Sequence, residues 1–432
     1  MNTNKTVPAA LIGSFDISAA GHGKGFLGDI NGDGIMEVVF VQADGDIDDR
    51  YVPHTVTCVT AYDLLGKLLW QAGKPVEKPG HFGADFPAQI YDFDNDGKLE
   101  VLCVMDGKFC VLDGATGKEK AKYPLPDPEA HDCIIIANLT GKEHAGEIIL
   151  KNRYFDMWAM DHDFNVMWKH HGNIGHFPYA FDINGDGFDE VMAGYDMLDH
   201  NGNILWSCKD LEDHADCLWV GDVNGDGKYE IAVGGSVTCL YSADGKELWR
   251  YDGSIESQHV ALGRFIEGAP GLQLAGLDRI QRGDGYKGQW DGKDGLFLVD
   301  SEGKEVLKED RKTKGWLTIA DTLSNWNGDG KDHILAYRRG GGVNPGLYND
   351  RLEPVTEFPV NFEGEEYVLH ADLFGRGKED VIVYTRTEAY IFSGEAADVK
   401  TLIENNKGKG ALPQPKRLYS QTLYPGGCVY IK

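Results

Sequence analysis

The stretch GDINGDGIMEVVFV at residues 28–41 sets the pattern of the whole chain, because it joins an acidic, glycine-rich turn to a strand of β-branched residues. Three close copies, YDFDNDGKLEVLCV, FDINGDGFDEVMAG and GDVNGDGKYEIAVG, begin at Tyr91, Phe181 and Gly221. Four weaker copies begin at Ile136, Leu262, Ser324 and Ala371. Their spacing of roughly 40–60 residues is the size of one propeller blade.

Each copy fits a blade of four strands. An apolar strand enters the acidic turn, a β-branched strand leaves it, and hairpins such as AYDLLGKLLW (61–70) join a third strand to a fourth. The sequence therefore predicts an all-β fold, an eight-bladed β-propeller that spans residues 1–432 as a single domain, with seven blades as the alternative. We expect a strand at about 9–17 to complete the last blade, no sustained helix, and a loop or linker at 405–416.

Composition and charge limit the function. The 432 residues include 42 basic and 69 acidic side chains, for a formal net charge of −27. Nucleic acids and anionic membrane surfaces both select positive fields, so neither is an expected partner. A hydrophobic content of 42% argues against an acidic disordered protein. No apolar stretch reaches the ~18 residues of a membrane span.

The start of the chain and the cysteines bear on the compartment. Residues 1–18 contain one lysine and no apolar region of the about 7–15 residues that a secretory signal needs. The eight cysteines are scattered, without a CxxC pair, as expected for buried thiols in a reducing cytosol. We expect a cytoplasmic protein; a secreted protein whose signal is missing from this sequence is the alternative.

The four clear turns share the pattern D-x-[DN]-x-D-G-x-x-E, which alternates oxygen ligands around glycine in the way that Ca²⁺ favours. The alternative is that Asp and Asn hold the turns by hydrogen bonds to the backbone. We expect structural Ca²⁺, with a catalytic role for it left open. The candidate metal ligands are Asp29, Asn31, Asp33, Glu37, Asp92, Asp94, Asp96, Glu100, Asp182, Asn184, Asp186, Glu190, Asp222, Asn224, Asp226 and Glu230.

Histidines recur at one phase of the repeat, just before the first strand of a blade. In a propeller these positions converge on the rim opposite the acidic turns, together with the residues that follow each second strand. The alternative is that repeated polar residues only satisfy hydrogen bonds at the blade ends. The histidines at this phase are His22, His81, His131, His176, His214 and His259, and the seventh copy has Trp316 there.

Basic residues follow several of the second strands and are expected on the same rim, although ordinary solvated charge is an alternative. They include Lys151, Arg153, Arg279, Arg338 and Arg339, and Tyr154, Tyr286, Trp290 and Tyr337 could stack on sugar rings there. The resulting cationic, aromatic rim suits a carboxylated ligand, so the expected partner is an acidic oligo- or polysaccharide.

Histidine, lysine and arginine together suit β-elimination from a uronide. A cation or metal neutralises the uronate carboxylate, a base takes the adjacent proton, and a second group assists the leaving oxygen. We expect the catalytic residues among His131, His176, Lys151, His81 and His214. Substrate binding is assigned to His22, Arg153, Tyr154, His259, Arg279, Trp316, Arg338 and Arg339. A glycoside hydrolase on a related acidic glycan and a non-catalytic glycan- or protein-binding propeller are the alternatives.

The run HDCIIIANLTGKEHAGEIILKNRYFDMWAMDHDFNVMW from His131 resembles the blades of polysaccharide lyase family 11, the rhamnogalacturonan lyases, and the acidic turns resemble FG-GAP calcium turns. PGLQLAGLDRIQRGDG (270–285) and the closing RLYSQTLYPGG are also similar. The resemblance rests best on His131-Asp132, Lys151, Asp278-Arg279 and LYPGG. It implies an eight-bladed propeller with bound calcium that cleaves rhamnose–uronate glycans by β-elimination. The family's long insertion after the lysine is replaced here by Asn152-Arg153-Tyr154, so the expected substrate is a glycan or an oligosaccharide and endo action on polymer is left open.

Overall fold

The computed structural model describes residues 7–47, 52–79, 87–254, 256–278, 295–309, 317–338, 343–360, 366–410, 412 and the backbone of 428–430. Within these residues the chain forms 33 β-strands, one α-helix and one 3-10 helix at Ser18–Ala20. The fold is therefore nearly all-β, as the repeat predicts. In the part of the chain that is described, no helix has the length and apolar character needed to cross a membrane.

The strands form four-stranded antiparallel units in which the chain runs from a first to a fourth strand in order, and a parallel bridge between Val56 and Met105 joins the first two units into one eight-stranded sheet. Unit 1 is β2 (Lys24–Gly28), β3 (Glu37–Ala43), β4 (Val56–Tyr62) and β5 (Leu68–Gly73); unit 2 is β6 (Ala88–Tyr91), β7 (Glu100–Met105), β8 (Lys108–Asp113) and β9 (Glu119–Pro124); unit 3 is β10 (Ile134–Ala137), β11 (Glu147–Lys151), β12 (Asp156–Met160) and β13 (Val166–His171); unit 4 is β14 (Tyr179–Phe181), β15 (Glu190–Ala193), β16 (Asp196–Leu198) and β17 (Ile204–Ser207).

The second half of the chain repeats this order. Unit 5 is β18 (Cys217–Gly221), β19 (Glu230–Gly234), β20 (Thr238–Ser242) and β21 (Glu247–Tyr251); unit 6 is β22 (Ser257–Gly263), β23 (Gln273–Asp278), β24 (Gly295–Val299) and β25 (Glu305–Lys308); unit 7 is β26 (Ile319–Ser324), β27 (Asp332–Tyr337), β28 (Gly346–Tyr348) and β29 (Pro354–Glu357); unit 8 is β30 (Tyr367–Ala371), β31 (Asp380–Tyr384) and β32 (Glu388–Ser393), completed by β1 (Ala10–Asp16).

The N-terminal strand β1 pairs antiparallel with β32, so it forms the fourth strand of unit 8. Near the C-terminus, β33 (Cys428–Tyr430) pairs in parallel with β18. The short helix α1 (Val399–Asn406) was not predicted, and it takes up the first two residues of the expected loop at 405–416. Asp398 caps α1 by accepting a hydrogen bond from the backbone of Thr401 at 3.0 Å.

Packing explains why first strands are buried along almost their whole length and fourth strands are not. The first strand β2 contacts β6 and β30, and β22 contacts β18 and β26, so first strands of neighbouring units face one another. Hydrophobic clusters join successive units, and one cluster joins unit 8 to units 1 and 2. The fourth strands β5 and β9 alternate between buried or half-buried and exposed positions, as expected for strands with one solvated face.

A tryptophan on the fourth strand connects several units to the next one. Trp206 donates from Nε1 to the carbonyl of Ala243 in the next hairpin at 3.0 Å. Gly245 of that hairpin has φ +82°, and a Cβ there would lie 2.4 Å from the Trp206 ring. Glycine thus supplies both the turn conformation and the space for the ring. The same bond from the tryptophan to the next hairpin recurs at Trp70, Trp168 and Trp249.

Candidate active site

The four clear acidic turns lie between the first and second strands of units 1, 2, 4 and 5, at 29–37, 92–100, 182–190 and 222–230. We call them the first to fourth acidic turns. In the third, Asp182 accepts backbone hydrogen bonds from Asp186 and Gly187, both at 3.0 Å. The first and second turns have equivalent bonds to Asp29 and Asp92, and in the fourth turn Asp222 accepts from the backbone of Gly225 and Gly227. The side chains therefore hold the turns through hydrogen bonds to the backbone.

The glutamate that ends each turn is buried and accepts a backbone hydrogen bond from the residue after the first aspartate. Burial together with Asp33 and Asp29 raises the pKa of Glu37 to about 9, and burial raises the pKa of Glu190 to about 7. Clustered carboxylate oxygens of this kind fit a hard cation such as Ca²⁺. Calcium in these turns stays a prediction.

Unit 3 has a buried ion-pair cluster at the start of its first strand and the end of its second strand, the strand ends that the acidic turns do not join. Asp132 precedes β10, and Lys151 ends β11; both side chains are fully buried. The ammonium of Lys151 donates to a carboxylate oxygen of Asp132 and to the backbone carbonyls of Asn152 and Arg153, the latter two at 3.1 and 2.9 Å. Arg153 donates from Nη1 to Asp132 at 3.1 Å. Since an ammonium has three donors, all those of Lys151 are engaged.

Tyr154 connects this cluster to two of the predicted histidines. The guanidinium carbon of Arg153 lies 5.1 Å from the centroid of the Tyr154 ring. The Tyr154 ring lies 5.6 Å from the ring of His176 and 5.1 Å from that of His214. The two histidines lie before the first strands of units 4 and 5, and their rings are 4.7 Å apart. The structure thus brings Lys151, Arg153, Tyr154, His176 and His214 into one group, which we call the histidine–tyrosine cluster.

Asp216 lies next to both histidines. Its Oδ1 is 3.7 Å from Nε2 of His176 and 3.6 Å from Nε2 of His214. His214 also has Asp213 at 2.6 Å from Nδ1. His176, His214 and Asp216 offer ligand atoms that all lie within 4.8 Å of one another, close enough to hold a metal ion. Two imidazoles and one carboxylate suit a transition metal better than Ca²⁺, which prefers oxygen ligands.

The two histidines have opposite electrostatic environments. Burial lowers the pKa of His176 well below its ordinary value, and the positive charges of Arg153, His214 and Lys151 lower it further, against the effect of Asp216. Burial alone would also lower the pKa of His214, but Asp216 and Asp213 outweigh it, so the pKa of His214 is raised. A neutral imidazole therefore lies beside one that favours its protonated form.

The other predicted site residues are spread over the repeat or lie outside the described residues. His131 adjoins Asp132, and its Nδ1 lies 2.9 Å from the carbonyl of His54. His22 lies before β2, 6.5 Å between ring centroids from Tyr367. His259 is buried in β22, and Arg338 is half-buried after β27. The positions His81, Arg279, Trp316 and Arg339, and Tyr286 and Trp290, lie outside the described residues.

One correction and two additions follow. Tyr337 is buried within β27, so the expectation that it stacks on sugar is wrong. Asp216 was missed, although it lies two residues after His214 and such spacing could have marked it. His54, which pairs with Asp44 at 2.9 Å, lies in the connection between β3 and β4 and carries no repeat signal.

Known proteins have low sequence identity to this chain, and solved structures match its fold over most of its length. No family model matches the chain. It is 25% identical to the rhamnogalacturonan exolyase YesX of Bacillus subtilis over 262 residues, which are 46% of this chain and 42% of that protein. It is 23% identical to the rhamnogalacturonan endolyase YesW of the same organism over 261 residues, or 46% and 41%. The chain thus spans less than half the length of these curated relatives.

Solved structures show the fold. The crystal structure of the exotype rhamnogalacturonan lyase YesX matches 85% of this chain and 71% of its own, with a TM-score of 0.57 and 18% identity. The V. cholerae biofilm matrix protein Bap1 matches 86% of this chain and 87% of its own, with a TM-score of 0.60 and 14% identity. The described strands and these matches define a nearly all-β, propeller-like fold that proteins of different function share.

Proposed function

We propose that this protein is a lyase that cleaves an acidic, rhamnose- and uronate-containing glycan or oligosaccharide by β-elimination. The observation that carries the proposal is the contact between His176 and His214, whose pKa values are shifted in opposite directions beside Arg153 and Tyr154. Titratable groups with environments that separate their pKa values are suited to act as base and acid. Sequence similarity to two rhamnogalacturonan lyases supports the same class of reaction.

In the proposed reaction the positive charge of Arg153 offsets the uronate carboxylate, which makes the proton on the adjacent carbon more acidic. Neutral His176 takes that proton. The electron pair left behind forms the double bond as the bond to the leaving oxygen breaks, and protonated His214 gives its proton to that oxygen. The products are an unsaturated uronate end and a new free hydroxyl end.

Lys151 has a supporting role in this proposal. Its ammonium is fully buried, and its three donors bind Asp132 and the backbone of Asn152 and Arg153. We infer that it positions the loop that carries Arg153 and Tyr154, so in this proposal it acts as a positioning residue and not as one of the groups that transfer a proton. His131 and His81 stay predicted catalytic residues.

A divalent ion held by His176, His214 and Asp216 would supply the positive charge at the uronate carboxylate in a different way. The experiment that separates the two versions is activity after exhaustive dialysis against a chelator. Lasting activity supports the histidine pair alone. Activity that is lost, and restored by one added transition metal, supports the metal version.

The finer features of the fold belong to the same proposal. The eight four-stranded units are the blades of one closed ring, which is supported by the hydrophobic cluster that joins unit 8 to units 1 and 2. Acidic turns of the kind at 182–190 hold structural Ca²⁺. The partner is an acidic saccharide, and the described part of the chain forms one domain.

The test uses rhamnogalacturonan, ulvan and rhamnosyl-glucuronate oligosaccharides, with ultraviolet absorbance of unsaturated uronate as the readout. A rise in absorbance supports a lyase. New reducing ends without the absorbance indicate a glycoside hydrolase instead. Binding without either product indicates a non-catalytic propeller, a class that the fold also supports because it is shared with a matrix protein.

A further inference from the structure

The second acidic turn differs from the other three at one ligand position. The third residue of the turn is Asn31, Asn184 or Asn224 in the first, third and fourth turns, but Asp94 in the second. In the asparagine turns the side-chain amide donates to an oxygen of the terminal glutamate, at 2.7 Å in the third turn and 2.9 Å in the fourth. Asp94 has no amide to donate, so the glutamate of the second turn needs another partner.

Lys120 is that partner. Its Nζ lies 2.7 Å from Oε1 of Glu100, 2.6 Å from Oδ2 of Asp94 and 3.6 Å from Oδ2 of Asp96. One ammonium thus contacts three of the four carboxylates that were predicted to bind a metal. The other, Asp92, is occupied by the backbone N–H groups of Asp96 and Gly97.

The strand register shows that this lysine is a substitution within the repeat. Lys120 lies in β9, between the residues that pair with Leu112 and Val111 of β8. The same position in the fourth strands of units 1, 4 and 5 precedes a tryptophan and is occupied by Leu69, Leu205 and Leu248. Three units therefore combine asparagine with leucine, and one combines aspartate with lysine.

We propose that the ammonium of Lys120 takes the place of a metal ion in the second acidic turn. This turn therefore binds no divalent ion, although its ligand pattern predicts calcium. The added negative charge of Asp94 is matched by the added positive charge of Lys120. The ammonium lies at 2.6–2.7 Å from two carboxylates, where the oxygen shell of Ca²⁺ would form at about 2.3–2.6 Å. The lysine and a metal ion would therefore compete for the same oxygens.

The experiment counts Ca²⁺ ions per folded chain by equilibrium dialysis and elemental analysis. Lys120→Leu should bind one ion more than the wild type, and so should Asp94→Asn/Lys120→Leu, which copies the chemistry of the other turns. Lys120→Gln provides the same test if leucine prevents folding. Lys122→Leu is the matched control, because Lys122 lies on the same strand and pairs with Glu119 at 3.3 Å; it should leave the count unchanged.

A second measurement tests whether the second acidic turn binds Ca²⁺ while Lys120 is present. Asp92→Asn/Asp96→Asn should not reduce the number of Ca²⁺ ions bound by the otherwise unaltered protein. Loss of one ion in that variant would overturn the proposal, as would an unchanged count in folded Lys120→Leu and Lys120→Gln. Neither result depends on whether the protein is a lyase.

Discussion

The rings of His176 and His214 lie 4.7 Å apart at an interplanar angle of 71°, although the two residues belong to different four-stranded units. Asp216 lies within 3.7 Å of both. The shared carboxylate of Asp216 does not give the two histidines the same pKa. Burial and nearby cations lower the pKa of His176, whereas Asp216 and Asp213 raise that of His214. A contact with this asymmetry is the basis of the proposed proton transfers.

Replacement of either histidine should abolish most of the turnover. We expect His176→Asn and His214→Asn each to lower kcat/KM for release of unsaturated uronate by about 10²–10⁴-fold, the usual effect of a missing general acid or base. His171→Asn is the matched control, because His171 is 73% exposed and pairs with Asp156. Wild-type turnover in the His176 and His214 variants, with the fold intact, would remove these residues from the mechanism.

The pH dependence of kcat/KM should be bell-shaped. The reaction needs neutral His176, whose pKa lies well below 6.5, and protonated His214, whose pKa lies above 6.5. Activity should therefore be high at pH 6.5, fall in acid as His176 gains a proton, and fall in base as His214 loses one. Asp216→Asn should move the basic limb to lower pH, since it removes a carboxylate that stabilises the imidazolium. An unmoved basic limb would show that His214 is not the acid.

The ion pair of Asp132 with Lys151 and Arg153 should be costly to break. Asp132→Asn leaves the fully buried ammonium of Lys151 without its carboxylate, so we expect a loss of about 3–5 kcal/mol in the free energy of unfolding by urea. Glu119→Gln, which removes the exposed pair with Lys122, should cost far less, because both charges are already solvated. Equal effects of the two substitutions would contradict the assigned burial.

A pH-dependent contribution to stability is expected between units 7 and 8. His370 lies 2.8 Å from Glu379 and 3.2 Å from Asp321. Burial alone would lower the pKa of His370, but Glu379 and Asp321 raise it to about 10 from 6.5. The stabilisation is complete below pH 6.5 and is lost as pH rises through about 10.

The comparison is urea unfolding of the wild type and His370→Gln across that range. The wild type should be the more stable protein near pH 6.5, and the difference between the two should shrink towards pH 10. A difference that stays constant would mean that His370 does not change its protonation on unfolding.

The tryptophan contact between units can be tested at a hairpin glycine. Gly245→Ala should destabilise the protein by more than about 1 kcal/mol, because φ is +82° and the new Cβ would lie 2.4 Å from the Trp206 ring. Gly225→Ala is the control for the backbone term alone, since Gly225 has φ +79° and nothing lies within 4 Å of a Cβ there. Similar losses of unfolding free energy in both variants would show that Trp206 contributes little.

Local features made the strands and turns predictable. The first aspartate of each acidic turn bonds to backbone groups three to five residues away, and the runs on either side become paired strands. The Trp206–Gly245 contact was not predicted, because it joins hairpins of different units. The helix α1 was missed because its eight residues are too few for a clear periodic signal.

The sequence by itself therefore determined the nearly all-β fold, its repeated units and the positions of His176 and His214 just before the first strands of two units. Only the tertiary structure decided that His176 and His214 meet at Asp216, that Lys151 is fully bonded, and that Lys120 occupies the second acidic turn. Turn and strand preferences act within a few residues along the chain. Charge pairing and burial depend instead on which side chains the packed units bring together. Two lysines of the same chain therefore have different surroundings: Lys151 is buried against Asp132, and Lys120 pairs with the carboxylates of the second acidic turn.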